Sequence, residues 1–236
     1  MSGARRPVLA IAHRGDPHAA RENTLASFRS AIAAGADAVE LDVRATRDGV
    51  PVVVHDATLE RLWGHDRPVA DLTAREVAAL TGGGVPTLAQ ALAVTAPVRT
   101  LIDLPERASA TALAAVAAVH EAGAAGRVYY CGDPAALRAV READAQAEIA
   151  LTWKRSALPR PSLLRLLRPR WLNYRFGLVT RQTVEHARAD GYLLGVWTPD
   201  SRWALRRMLD LGVDAVTTNR VGALRALLAR RGHAAA

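Results

Sequence analysis

Eight short apolar runs, each followed by an alanine-rich amphipathic stretch, recur along this 236-residue chain and constrain its fold more than any other feature. The runs read as strands near 8–12, 38–43, 98–103, 127–131, 148–152, 171–174, 193–197 and 214–218. Helices fit near 24–34, 87–95, 109–122, 133–143, 158–168, 180–190, 200–211 and 219–231. Strands linked through helices pair in parallel, and a parallel sheet needs cover on both faces. Eight such units close most economically into an α/β fold of (β/α)8 type, the TIM barrel. Asn23, Asp133 with Pro134 behind it, Thr180, Asp200 and Asn219 read as helix N-caps, and Gly35, Gly123, Gly191 and Gly212 as left-handed helix ends. No linker composition and no repeat period interrupts the chain, so residues 1–236 read as one domain.

The segment from about 43 to 86 breaks the alternation. Between the strand ending near Val43 and the one starting at Pro51 there is no room for a right-handed crossover, so the chain must double back through Thr46-Arg47-Asp48-Gly49. Such a β-hairpin follows the second barrel strand and therefore lies at the C-terminal mouth, where barrel active sites are built. It returns His55 to a position roughly opposite Asp42. The stretch from Asp71 to Val77 reads as a short helix within this insertion.

Chemistry gathers at the same mouth. Side chains alternate on a strand, so Glu40 and Asp42 share one face of the second strand. Two neighbouring anions repel, and burying them unpaired costs several kcal/mol. A hard divalent cation with oxygen ligands resolves that conflict. Asp103 ends the third barrel strand, and His13 and Arg14 follow the first, with Gly15 permitting a sharp turn behind them. Three carboxylates, two imidazoles and an arginine thus converge.

Composition narrows the partners. The net charge is +8, and arginine supplies nearly all the cations, Lys154 being the single lysine. The basic balance suits phosphoesters or other anions. No aromatic residues are interleaved with the arginines, which argues against nucleic acid. One cysteine, Cys131, excludes an internal disulfide and a cysteine-clustered zinc site, and its apolar run makes it a buried inert thiol. Arg5 and Arg6 precede an apolar stretch too short for a signal core, and no run approaches a membrane span. A soluble, cytoplasmic protein without stable membrane insertion is expected. The oligomeric state is not readable.

The motifs His13-Arg14-Gly15, Glu22-Asn23-Thr24, Glu40-Leu41-Asp42, Thr46-Arg47-Asp48-Gly49, His55-Asp56 and Thr58 to Arg61 resemble those of the glycerophosphodiester phosphodiesterases. Pro86-Thr87-Leu88, Val196-Trp197-Thr198 and the run from Gly212 to Thr217 extend the resemblance over the full length, weakly between about 105 and 190. It implies a metal-dependent barrel that hydrolyses a glycerophosphodiester to a glycerol phosphate and an alcohol. By resemblance His13 and His55 are the acid–base pair, while Glu40, Asp42 and Asp103 hold one divalent cation, Mg2+ or Ca2+. Arg14 then contacts the phosphate, Trp197 lines the pocket, and Glu22 and Asn23 orient the residues around the metal. For Asn23, a plain helix cap is the competing reading.

The chain departs from the family pattern at two places. Most members carry a glutamate and then a phosphate-binding lysine where this chain has Asp103 and Pro105. Lys154 is the candidate substitute at the same rim, with Arg155 the runner-up. Two further functions stay open on the residues. One is a lysophospholipase D or sphingomyelinase D-like activity on a tailed lysophospholipid, suggested by the leucines between Leu163 and Arg168. The other is a phosphoester-binding barrel with weak catalysis, suggested by Pro105.

Overall fold

A computed structural model describes residues 7–234; Arg5 and Arg6, weighed above, lie outside the described residues. Eleven strands are present among them: β1 (Leu9–Ala12), β2 (Ala38–Ala45), β3 (Pro51–Val53), β4 (Thr58–Leu59), β5 (His65–Pro68), β6 (Arg99–Leu104), β7 (Val128–Gly132), β8 (Glu148–Trp153), β9 (Trp171–Arg175), β10 (Leu193–Trp197) and β11 (Ala215–Thr218). Eight of these pair in parallel in the order β1-β11-β10-β9-β8-β7-β6-β2, and β1 pairs with β2 through Ile11 and Ala38, which closes the barrel. The eight expected strands are all present, each shifted by no more than two residues at its ends.

Alternation sorts the side chains into two layers. Val39, Leu41 and Val43 on β2, with Ile102 and Leu104 on β6, pack outward against the helices. Ala38, Leu101, Tyr129, Cys131, Ala150, Trp171 and Ala215 pack inside the barrel with Ile11. Residues two positions further along each strand therefore also point inward, toward the mouth. On β2 these are Glu40 and Asp42, and on β6 it is Asp103. The register pairs Asp42 directly with Asp103. Close strand approach is enforced at Gly132, where φ is +125° and an added Cβ would lie 2.1 Å from the Leu104 carbonyl oxygen.

The hairpin forms as expected: β3 pairs antiparallel to the end of β2, with Val43 opposite Val53. The Val54 amide donates to the Asp42 carbonyl at 3.0 Å, so Val54 rather than His55 stands opposite Asp42, and His55 follows one residue on. The insertion carries its own small core of Val52, Val54, Leu59, Val69, Leu72, Val77 and Val85. That core gives the hairpin a rigid base. The short helix of the insertion starts later than expected, at Ala74, because Thr73 and Glu76 form a reciprocal capping box.

Three expected helix caps are displaced. Thr24 rather than Asn23 caps the helix Leu25–Ala33, and Ser201 rather than Asp200 caps Arg202–Leu211. Asn219 is no cap either, since the last helix begins at Val221 and the Asn219 side chain bonds elsewhere. In each case the neighbouring polar group is spent on the barrel mouth. Asp133, Pro134 and Thr180 cap as expected, and all four glycines lie at positive φ. In the helix Pro161–Leu167, Leu167 is buried and Leu163 and Leu164 pack on the core, while Leu166 is exposed. Those contacts account for the leucine run as packing. No helix among the described residues is long and apolar enough to cross a membrane.

Gly132→Ala is expected to destabilise the fold by at least about 2 kcal/mol, because both its backbone conformation and its space exclude a side chain. Chemical denaturation reads this directly, and an unchanged midpoint would contradict the tight β6–β7 approach.

Candidate active site

Glu40, Asp42 and Asp103 offer carboxylate oxygens that all lie within 4.8 Å of one another. Glu40 and Asp42 are 3% and 1% exposed. Asp103 is open on its cavity side, yet its Oδ1 is buried and has no hydrogen-bond partner. Burial, followed by repulsion from Asp42 and Asp103, pushes the Glu40 carboxyl well up. Burial and the Asp42 charge push Asp103 up to about 7. This is a concentrated anionic cluster held by two neighbouring strands. All its donors are oxygens and one is orphaned, which fits a hard divalent cation.

Arg14 partly compensates the cluster. Its Nε lies 3.1 Å from Asp42 Oδ2, one guanidinium nitrogen donates to Glu22 Oε1 at 2.9 Å, and its backbone amide donates to Glu40 Oε2 at 2.9 Å. Reaching that position requires a left-handed backbone at Arg14, φ 55°, followed by Gly15 at φ 85°. A Cβ at Gly15 would meet Ser27 Oγ at 2.0 Å, so the turn admits glycine alone. Asn23, also left-handed at φ 58°, donates its amide to Asp42 Oδ2 at 2.8 Å. This favours a supporting role for Asn23 over the helix-cap reading. Glu22 is bridged between Arg14 and Arg61; burial works against its charge, but those two hydrogen bonds hold its carboxyl below the usual range.

The two histidines are each fixed through Nδ1. His13 Nδ1 lies 2.8 Å from Asn219 Oδ1, and its Nε2 stands 4.0 Å from Glu40 Oε2. Asn219 is itself fixed, donating its amide to Asp200 Oδ2 at 2.7 Å. Burial, then the nearby Arg14 charge, lowers the His13 pKa. His55 Nδ1 lies 2.7 Å from Asp56 Oδ1, and Asp56 accepts from Arg61 Nε at 2.5 Å. The His55 carbonyl accepts from Arg44 Nε at 2.8 Å, and Arg44 also pairs with Glu106 beyond β6. Hairpin and barrel rim are thereby tied together.

Asn219, Asp200, Arg44 and the roles of Asp56 and Arg61 escape a reading of the sequence. Arg44 carried a signal, since it follows Asp42 at the spacing that shares a face. Asn219, where family members commonly carry an aspartate, was read as a helix cap, and its bond to His13 across 206 residues leaves no local pattern.

His13, Arg14, Glu40, His55 and Asp103 line one cavity of about 530 Å3, which Trp153, Lys154, Arg155 and Trp197 continue. All nine expected site residues lie in this cavity or directly behind it. Asp42, Asn23 and Glu22 form the rear, and Trp197 donates its Nε1–H to the Asn173 carbonyl at 3.3 Å. Cys131 is buried, as expected, and burial raises its thiol pKa.

Residues 13–223 match the family model described as the glycerophosphoryl diester phosphodiesterase family. A glycerophosphodiester phosphodiesterase of Caldanaerobacter subterraneus subsp. tengcongensis is 29% identical, over 90% of this chain and 94% of that protein. A probable glycerophosphodiester phosphodiesterase 2 of Mycobacterium tuberculosis is 30% identical over 95% of this chain and 92% of its own length. Among solved structures, an Oleispira antarctica phosphodiesterase in complex with the product sn-glycerol-3-phosphate superposes with a TM-score of 0.80. It is 24% identical, and the match covers 92% of this chain and 94% of that one.

Asp103→Asn removes one of the mutually repelling anions. The metal-free variant is expected to melt higher, by about 2–4 °C per kcal/mol of repulsion relieved, while Mg2+ or Ca2+ binds at least about tenfold more weakly. A lower melting point in the metal-free variant would contradict the repulsion. Because a bound cation would displace the protons that Asp103 and Glu40 hold, affinity measured by calorimetry should climb with pH through about 7. Over the same window the metal-free fold loses stability, since the folded state keeps a proton that the unfolded chain has released.

Proposed function

The chain belongs to the glycerophosphoryl diester phosphodiesterase family and is an enzyme that hydrolyses glycerophosphodiesters, and within that activity we propose that His13 and His55 move the protons beside one divalent cation. Glu40, Asp42 and Asp103 would hold that cation, Mg2+ or Ca2+. Once bound, it would lend positive charge to a phosphoryl oxygen and acidify a hydroxyl beside it. The observation that carries the reading is the pairing of two Nδ1-anchored imidazoles with three converging carboxylates at one cavity.

The hydrogen bonds divide the labour between the rings. Asn219 has spent its amide on Asp200, so its oxygen faces His13 and requires the proton on Nδ1. That leaves the Nε2 lone pair free. With its pKa lowered by burial and Arg14, His13 is neutral at neutral pH and serves as the base. It takes the proton from the glycerol hydroxyl next to the ester. His55 is oriented by the Asp56 carboxylate and gives its Nε2 proton to the departing alkoxide. Attack by the neighbouring hydroxyl gains from proximity and yields a cyclic phosphate. Water then opens the ring while the histidines exchange roles. Arg14 and Trp197 bound the substrate, Arg14 toward the phosphate, while Glu22 and Asn23 keep Arg14 and Asp42 in place.

His13→Ala and His55→Ala are each expected to lower kcat by about 10²–10⁴-fold with the circular dichroism spectrum unchanged. Either variant turning over glycerophosphodiester at a near-normal rate would remove that ring from the pair. A finer test is Asn219→Asp. A carboxylate on Nδ1 raises the His13 pKa, so the acidic limb of kcat/KM should move upward by about one pH unit. A stationary limb would take the base assignment from His13.

A further inference from the structure

The same cavity holds a cation, read above as the candidate substitute for the absent phosphate-binding lysine, that the proposed chemistry leaves unused. Lys154 follows β8, two residues beyond the inward-facing Thr152, and lines the same cavity as His13, His55 and Asp103. Its Nζ stands 5.7 Å from the centroid of the Trp197 ring. Apart from that ring it has no hydrogen-bond or ion-pair partner among the described residues. Of the cations that oppose the upward shift of Asp103, Lys154 acts most strongly, ahead of His55 and Arg14. Arg155 lies beside it on the cavity wall, and Pro105, on the rim two residues past Asp103, brings no charge. Asp133, which also lines the cavity, is occupied at its own helix start, accepting from the Ala135 amide at 2.8 Å.

A quaternary ammonium is recognised by an open aromatic face with few competing cations. Here the Trp197 face already has a cation over it, and a second stands alongside. With the carboxylates beside the phosphoryl centre and the glycerol hydroxyl, the Trp197 face with Lys154 over it is left for the other substituent on phosphorus. Resting on the glycerophosphodiesterase reading, we propose that Lys154, seated over Trp197, selects phosphodiesters whose leaving alcohol is an uncharged polyol or carries negative charge, and rejects those ending in a quaternary ammonium. Hydroxyls or an anion on the leaving group find a donor in the ammonium. A trimethylammonium meets repulsion and an occupied ring.

The test compares kcat/KM for glycerophosphoglycerol and glycerophosphocholine in the wild type, Lys154→Met, Lys154→Arg and Arg155→Met. In the wild type glycerophosphoglycerol should be preferred about tenfold or more. Lys154→Met should shrink that ratio at least about fivefold, Lys154→Arg should keep it, and Arg155→Met should change it less than Lys154→Met does. As a binding readout, tetramethylammonium should inhibit Lys154→Met at lower concentration than the wild type. A wild-type ratio near one or favouring choline, a ratio unmoved in Lys154→Met, or a ratio governed by Arg155 would overturn the proposal. A wild type that cleaves neither substrate would instead sink the underlying activity, so the two failures are distinguishable.

Discussion

Repulsion among three carboxylates packed at one rim is the constraint on which the rest of this structure turns. Asp42 and Asp103 are direct register partners on adjoining parallel strands, and Glu40 shares their face. The fold meets this charge with one arginine in a strained backbone conformation, supported by Glu22 and Asn23. The compensation is partial: Glu40 and Asp103 remain shifted upward, and one Asp103 oxygen stays without a partner. A cation bound there would relieve the remaining repulsion. In the proposed reaction stability and function would then pull in opposite directions, as they often do where charge is concentrated for chemistry.

Hydrogen bonds from behind the acids and the rings give the cluster a direction. Both histidines are oriented from behind, by different kinds of partner: a neutral amide for His13 and a carboxylate for His55. In the proposed reaction that difference in partner would separate two chemically identical rings into a base and an acid. The partners arrive from remote parts of the chain, Asn219 from beyond the last strand and Asp56 from the hairpin. Arg44 and Arg61 then tie the hairpin to the barrel. Barrel closure therefore does more than bury a core, because it brings the first strand against the last and delivers Asn219 to His13.

What the sequence revealed, and what it hid, follows from range. Period-two alternation is local, so the shared face of Glu40 and Asp42 and the inward aim of Asp103 were legible before any coordinates. The return of His55 was legible too, because a link of that length permits only a hairpin. Asp200 and Asn219 were misread as caps, and Asn23 was left between a cap and a support, for one reason. A short polar side chain at a helix start can bond either its own backbone or a partner across the barrel, and only tertiary structure decides. Asn23 in particular tolerates the left-handed conformation that frees its amide for Asp42. Hydrogen bonds spanning 19 to 206 residues leave no local trace.

The central claim is that the three acids are built around one divalent ion within reach of two imidazoles. Anomalous diffraction from crystals soaked in Mn2+ tests it most directly. The account predicts one strong peak at coordination distance from oxygens of Glu40, Asp42 and Asp103, with His13 and His55 on the same cavity wall. A peak elsewhere, or none at saturating Mn2+, would contradict it.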